Sequence, residues 1–140
     1  MDKSTPVSII MTTDLITVNY NDDLTTAAEL FKSNNIRHIP VIFNDEILGM
    51  LSHTDLMRVS YTENIEEVEL EVGRVKNSMF TIEQVMANNV VSVSPKTTIK
   101  EVAEILAKRE FHALPVVEEE KLVGIVTTTD LIKYLLDQYL

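Results

Sequence analysis

Cysteine and tryptophan are absent from this 140-residue chain, and glycine occurs only three times. Without cysteine there is no disulfide, no thiolate metal ligand and no cysteine nucleophile. With so few glycines the chain has neither a G-x-x-x-x-G-K-[ST] phosphate loop nor a G-x-G-x-x-G dinucleotide fingerprint, and G-x-S-x-G is missing as well. The three histidines, His38, His53 and His112, show no H-E-x-x-H or other ligand spacing. His53 lies near Asp55, but Thr128 stands at its repeat counterpart, so a helix-start histidine explains it better than a catalytic pair. Positive charge is scarce: 12 Lys and Arg face 22 Asp and Glu, for a formal net charge of −10. General nucleic-acid binding needs a positive face to displace counterions, so that class is disfavoured. An anionic small ligand remains compatible only where a few cations converge. Long apolar runs are also lacking, which argues against membrane insertion, and MDKSTPVS has no signal-peptide core. These absences lead us to expect a cytoplasmic protein that is not an enzyme and carries no cofactor or metal.

What is present is a core-forming composition, 45% hydrophobic, enough for one domain or two small ones. It is also written twice. Residues 82–135 slide onto 7–60 at a constant shift of 75 with no gap. Identities fall at Met11/Met86, Val18/Val93, Ala28/Ala103, Glu29/Glu104, Pro40/Pro115, Val41/Val116, Gly49/Gly124, Thr54/Thr129, Asp55/Asp130 and Leu56/Leu131. Apolar character also agrees at Leu24/Ile99, Phe31/Leu106, Ile39/Leu114 and Met50/Ile125. Two copies at this spacing are not a solenoid; they are two copies of one supersecondary unit.

Each copy parses by period. LITV (15–18) and VVSV (90–93) are short β-branched runs that predict strands. Asp23 and Thr98 stand where helix N-caps belong, with Thr98 and Glu101 spaced as a capping box. Leu24, Ala27, Ala28 and Phe31 then recur at helical spacing, as do Ile99, Val102, Ala103 and Leu106. Two strands follow, HIPVIF and ILGML in one copy, ALPVVE and LVGIV in the other, and a last helix begins around Asp55 and Asp130. The unit is β-α-β-β-α, twice, an α/β arrangement. We divide the chain into repeat 1 (1–60), an acidic connector (61–81) and repeat 2 with a C-terminal helix (82–140).

The chemistry concentrates at the start of each last helix. Ser52-His53-Thr54-Asp55 and Thr127-Thr128-Thr129-Asp130 follow a glycine-containing strand. A helix N-terminus offers unpaired N–H groups and partial positive charge, which suit phosphate. The hydroxyls of Ser52, Thr54, Thr127 and Thr129 can add donors, and a carboxylate such as Asp55 or Asp130 can accept from both hydroxyls of a ribose. Helix capping alone accounts for the same residue types, so local sequence leaves both readings open.

The phrases R-H-I-P-V then G-M-L-S-H-T-D-L, and H-A-L-P-V then G-I-V-T-T-T-D-L, resemble the cystathionine-β-synthase (CBS) domain. Two in tandem resemble a Bateman module, and the resemblance covers both copies. It implies two repeats packed through their sheets around a pseudo-two-fold axis, with two related ligand sites in the cleft between them. It also implies that the residue three before the proline, Arg37 or His112, reaches phosphate. The first site would be framed by Asp55, Ser52, Thr54 and Arg37 with His112 reaching across, and the second by Asp130, Thr127, Thr129 and His112 with Arg37 as neighbour. His38 is a further candidate, although its counterpart is Ala113. By the same resemblance the backbone around Thr17-Val18 and Ser92-Val93 meets adenine, and Ile39, Pro40, Leu114 and Pro115 border the pocket. Core strands explain Val18 and Val93 equally well. Arg37 in a surface ion pair, and His112 at a strand edge, are the corresponding bland readings.

Residues 60–80 carry Glu63, Glu66, Glu67, Glu69 and Glu71, which a solvated face explains, while Ile65, Val68, Val72 and Val75 fit an apolar helical stripe. The C-terminal Leu135, Leu136, Tyr139 and Leu140 predict either core or a dimer surface. The resemblance implies a homodimer built through the last helices, whose faces carry Met57, Ile132 and Leu136. Two functions follow. One is a sensor that binds an adenine nucleotide (AMP, ADP or ATP) and signals in trans to a partner protein. The other is an adaptor dimer without a functional ligand site.

Overall fold

The structure, a computed structural model, describes residues 2–62 and 80–139, without the side chains of 60–62. The expected apolar stripe at Ile65–Val75, and Leu140, lie outside the described residues. The first repeat contains β1 (Val18–Asn19), α1 (Leu24–Asn34), β2 (His38–Phe43), β3 (Glu46–Ser52) and α2 (His53–Thr62). A one-turn helix α3 (Ile82–Val85) opens the second repeat, which continues with α4 (Ile99–Lys108), β4 (Ala113–Glu118), β5 (Lys121–Thr127) and α5 (Thr128–Asp137). A 3-10 turn, Val7–Ile9, opens the matching part of repeat 1 as α3 opens repeat 2.

The α/β class is as expected, and the pairing registers repeat at the same shift of 75. His38 faces Ser52 as Ala113 faces Thr127, and both hairpins slip register at the same place, Val41/Ile42 and Val116/Val117. Val18 pairs in parallel with Val41, and Val93 pairs in parallel with Val116. The strands expected over LITV and VVSV are much shorter, two residues in one copy and a single bridge in the other. Proline explains this. The Pro115 carbonyl accepts the Val93 amide at 3.0 Å, so the proline nitrogen faces the same neighbour and has no hydrogen to donate. The parallel ladder therefore stops short of Thr17 and Ser92.

The hairpin turns are two residues long, Asn44-Asp45 and Glu119-Glu120, and all four residues have positive φ (51°, 67°, 51° and 68°). Such φ values are those of the type I′ turn that matches strand twist. Asn and Asp tolerate this conformation, whereas each glutamate costs about 1–2 kcal/mol there.

Compact folding does not follow the repeats. One unit comprises Met1–Leu15 and Val91–Leu140, the other Ile16–Val90. In the first unit the N-terminal segment lies along repeat 2: Thr12 and Ile125 exchange backbone hydrogen bonds (2.8 and 3.0 Å), and Val7 donates to the Thr97 carbonyl (2.7 Å). In the second unit Ala87 and Met50 exchange the equivalent pair (2.9 and 3.1 Å). Each repeat is thus completed by the leading segment of the other repeat. Val7 fills the core with Val93, Val102, Leu114, Val116 and Val126. Ile82 and Met86 join Val18, Leu24, Phe31, Ile39, Val41, Leu51 and Leu56 in the other unit.

Glycine is required where these segments cross. A Cβ at Gly49 would stand 2.5 Å from Met86 Sδ and 2.7 Å from the Ala87 carbonyl oxygen. At Gly124 it would stand 2.7 Å from Met11 Sδ and 3.2 Å from the Thr12 carbonyl oxygen.

Candidate ligand-binding sites

The Ile16–Val90 unit assembles its candidate residues where β3 runs into α2. The His53 amide donates to the Arg37 carbonyl at 2.8 Å, which fastens the residue three before Pro40 to the helix start. The Asp55 amide donates to Ser52 Oγ at 3.0 Å, so Ser52 caps the first turn. The Asp55 carboxylate accepts from Arg58 Nη1 at 3.2 Å. His38 pairs across the ladder with Ser52, while Ile39 and Pro40 are buried beneath and Val18 supports them from the neighbouring strand. Thr17 is half-buried; Arg37 and Thr54 are exposed. His53 is half-buried with its ring edge-on to Phe31 at 5.4 Å, a packing role.

The other unit repeats the construction with different chemistry. Here the Thr128 amide donates to the His112 carbonyl at 3.0 Å, and Thr128 Oγ1 donates to the same oxygen at 3.3 Å. Thr127 and Asp130 form a reciprocal capping box: Thr127 Oγ1 accepts the Asp130 amide (3.2 Å) and Asp130 Oδ2 accepts the Thr127 amide (2.9 Å). Leu114 and Pro115 are buried below, Val93 is buried beside them, and Ser92, His112 and Thr129 are exposed.

Each unit therefore brings together its own candidates: an arginine or histidine three before the proline, a capping hydroxyl, a second hydroxyl and a carboxylate. The capping alternative is realised for Ser52, Thr127 and Asp130. It does not exhaust their chemistry, because a hydroxyl that accepts an amide keeps its own proton to donate and a carboxylate keeps further lone pairs. The hydroxyls of Thr54 and Thr129 make no hydrogen bond among the described residues. Two participants were missed in the sequence. Arg58 stands three residues after Asp55, a spacing that signals a helical ion pair. Thr128 tethers His112 one step beyond the Ala113–Thr127 pair that ends the ladder, a neighbour visible only once the register is known.

Among the described residues no helix is long and apolar enough to cross a membrane, and no cluster of His, Asp and Glu could hold a metal. Paired β-α-β-β-α units, each with hydroxyls and an acid at the last helix start, define the class, and the CBS-domain family model matches residues 7–62 and 82–137: the chain belongs to that family.

Its relatives include the Methanocaldococcus jannaschii protein MJ1426, 30% identical over 144 residues and covered over 86% of both chains. The same organism's MJ1404 is 29% identical over 139 residues, 96% of this chain but 33% of the relative, so this chain spans a third of that protein's length. Among solved structures, the CBS domain pair of M. jannaschii MJ0100 superposes with a TM-score of 0.77 at 25% identity, covering 94% of this chain and 99% of that one. That domain pair was crystallised in complex with 5′-methylthioadenosine and S-adenosyl-L-methionine.

Proposed function

We propose that this chain is a regulatory module that binds an adenine nucleotide at its helix-start sites and acts in trans on a partner, without catalysing a reaction. The observation that carries the reading is the tethering of Arg37 and His112 to the helix starts, through His53 (2.8 Å) and Thr128 (3.0 Å). It supports a phosphate beside the N–H groups and hydroxyls of Ser52, Thr54, Thr127 and Thr129, with Asp55 and Asp130 accepting from ribose hydroxyls. The interruption of the parallel ladder before Thr17 and Ser92 supports recognition of the base edge by backbone groups there, with Ile39, Pro40, Leu114 and Pro115 as the apolar wall. The bound ligands of MJ0100 both carry adenosine, which favours an adenosine-bearing ligand for this chain too.

Calorimetry with AMP, ADP, ATP and S-adenosylmethionine tests this. At least one is expected to bind, and Asp55→Asn with Asp130→Asn should weaken it about 10–100-fold, the worth of one or two hydrogen bonds to a charged group. At position 130 an amide oxygen retains the capping acceptor, and the Asp55 side chain makes no capping bond, so thermal melting should change little. Silence across the panel would favour the adaptor reading; undiminished binding by the double variant would remove the two acids from the site.

We also infer self-association through α5. Ile132 and Leu136 are 52% and 60% exposed, and Leu135 and Tyr139 extend the same apolar surface. Light scattering at tens of micromolar should return twice the chain mass, and Ile132→Glu with Leu136→Glu should return one. A wild-type mass of one chain would refute the dimer.

A further inference from the structure

A groove of about 560 Å³ runs along one flank of α4, wholly inside the unit that holds repeat 2. Its apolar lining is Val93 and Ile105, joined by the hydroxyl residues Ser92, Ser94 and Thr97 and by acidic and basic side chains along α4 and its end. None of His112 or Thr127–Asp130 lines it.

Four charged side chains reach the groove, and their partners divide them. Glu101 Oε2 accepts the Thr98 amide at 3.2 Å, completing the capping box of α4. Glu104 is paired with Lys100, and that hydrogen bond holds its carboxyl below the ordinary range. Arg109 forms no ion pair among the described residues, and Lys108 makes none at salt-bridge distance, although its charge also helps to hold the Glu104 carboxyl low. The hydroxyls point to the same conclusion. Ser94 Oγ and Thr97 Oγ1 accept the amides of Lys96 and Ser94, each at 3.0 Å, so each retains a proton to donate. Ser92 is exposed and has no hydrogen-bond partner among the described residues. The groove thus offers donors and two positive charges in a chain whose net charge is −10. Against them stand the Glu101 carboxylate, whose capping bond leaves its charge in place, and the C-terminal dipole of α4, about half a charge. Duplication did not supply the cations: Ser33 and Asn34 occupy the equivalent positions in repeat 1.

We propose that this groove is a separate site for a small organic phosphate. Arg109 and Lys108 hold the phosphate, Arg109 through its two-pronged guanidinium, with the hydroxyls of Ser92 and Ser94 completing the set. The organic body rests on Val93 and Ile105, in a volume within the range of small-molecule sites. The site shares only Ser92 and Val93 with the nucleotide reading and does not depend on it.

The test is a two-dimensional amide NMR titration of the full chain with phenyl phosphate and, separately, inorganic phosphate. Saturable shifts are expected at Ser92, Ser94 and Arg109, with phenyl phosphate binding about tenfold tighter than inorganic phosphate because its ring buries apolar surface. Lys108→Ala with Arg109→Ala should weaken phenyl phosphate about 100-fold. Should that pair disturb α4, Lys108→Gln with Arg109→Gln, which preserves side-chain length, should show the same loss. Asp130→Asn should leave phenyl phosphate binding intact, which separates this site from the helix-start one. No saturable shift, shifts confined to Thr127–Asp130, or unchanged affinity in both double variants would overturn the proposal.

Discussion

A fragment cut at the repeat boundary, residues 1–62, is expected not to fold, whereas residues 16–90 should give a dispersed amide NMR spectrum and a cooperative melt. The shorter piece retains an N-terminal segment whose partners, Thr97 and Ile125, are gone, and it lacks Ile82 and Met86 from its own core. Removing a buried aliphatic side chain of this size costs about 2–5 kcal/mol. Two such losses, with the backbone bonds between Met50 and Ala87, rival the about 5–15 kcal/mol by which domains are stable. A domain of about 60 residues has little reserve with which to absorb this. A cooperative melt for residues 1–62 would show that the crossing segments are ornaments on a self-sufficient repeat.

The second large effect separates two glycines that sequence treats as equivalents. Gly49→Ala should destabilise the protein by about 3 kcal/mol, near the upper end of overpacking costs, and Gly124→Ala by about 1 kcal/mol. At Gly49 the new methyl meets a carbonyl oxygen at 2.7 Å as well as the Met86 side chain, so the backbone must move. At Gly124 the carbonyl lies at 3.2 Å and the close atom is Met11 Sδ, the end of a flexible side chain that can turn aside. Urea denaturation with an unchanged slope reads the difference as a shift in midpoint. Equal losses, or the reverse order, would mean that these crossings are not what requires glycine.

Much of this architecture could be read from residues. Helical spacing located α1 and α4, and the Thr98/Glu101 box is present as expected. Asp23 occupies the N-cap position of α1 but makes no side-chain capping bond. The shift of 75 carried over to the pairing registers because register follows the burial pattern, which duplication copies. What was not legible is who fills whose core. Alignment sets Met11 beside Met86 and Gly49 beside Gly124, yet the contacts join Gly49 to Met86 and Gly124 to Met11. Periodicity reports neighbours along one helix or strand, so it is blind to a partner supplied by the other copy. The shortened β1 is a different failure: β-branched residues favoured a strand, and a proline on the neighbouring strand withheld the hydrogen that would have extended it. At the candidate sites the residue types were visible, but the Arg58–Asp55 pair set the two acids apart in a way that the shared Asp-Leu phrase conceals.

Because the polypeptide passes from one folded body to the other at residues 15–16 and again at 90–91, the stretch that was copied is not the stretch that folds. A recombination event that transplanted one repeat would carry away a neighbour's plug and leave its own behind. Heritable change in such a protein is therefore expected to arrive in matched couples, a residue in one copy and its keeper in the other, or as the whole tandem at once.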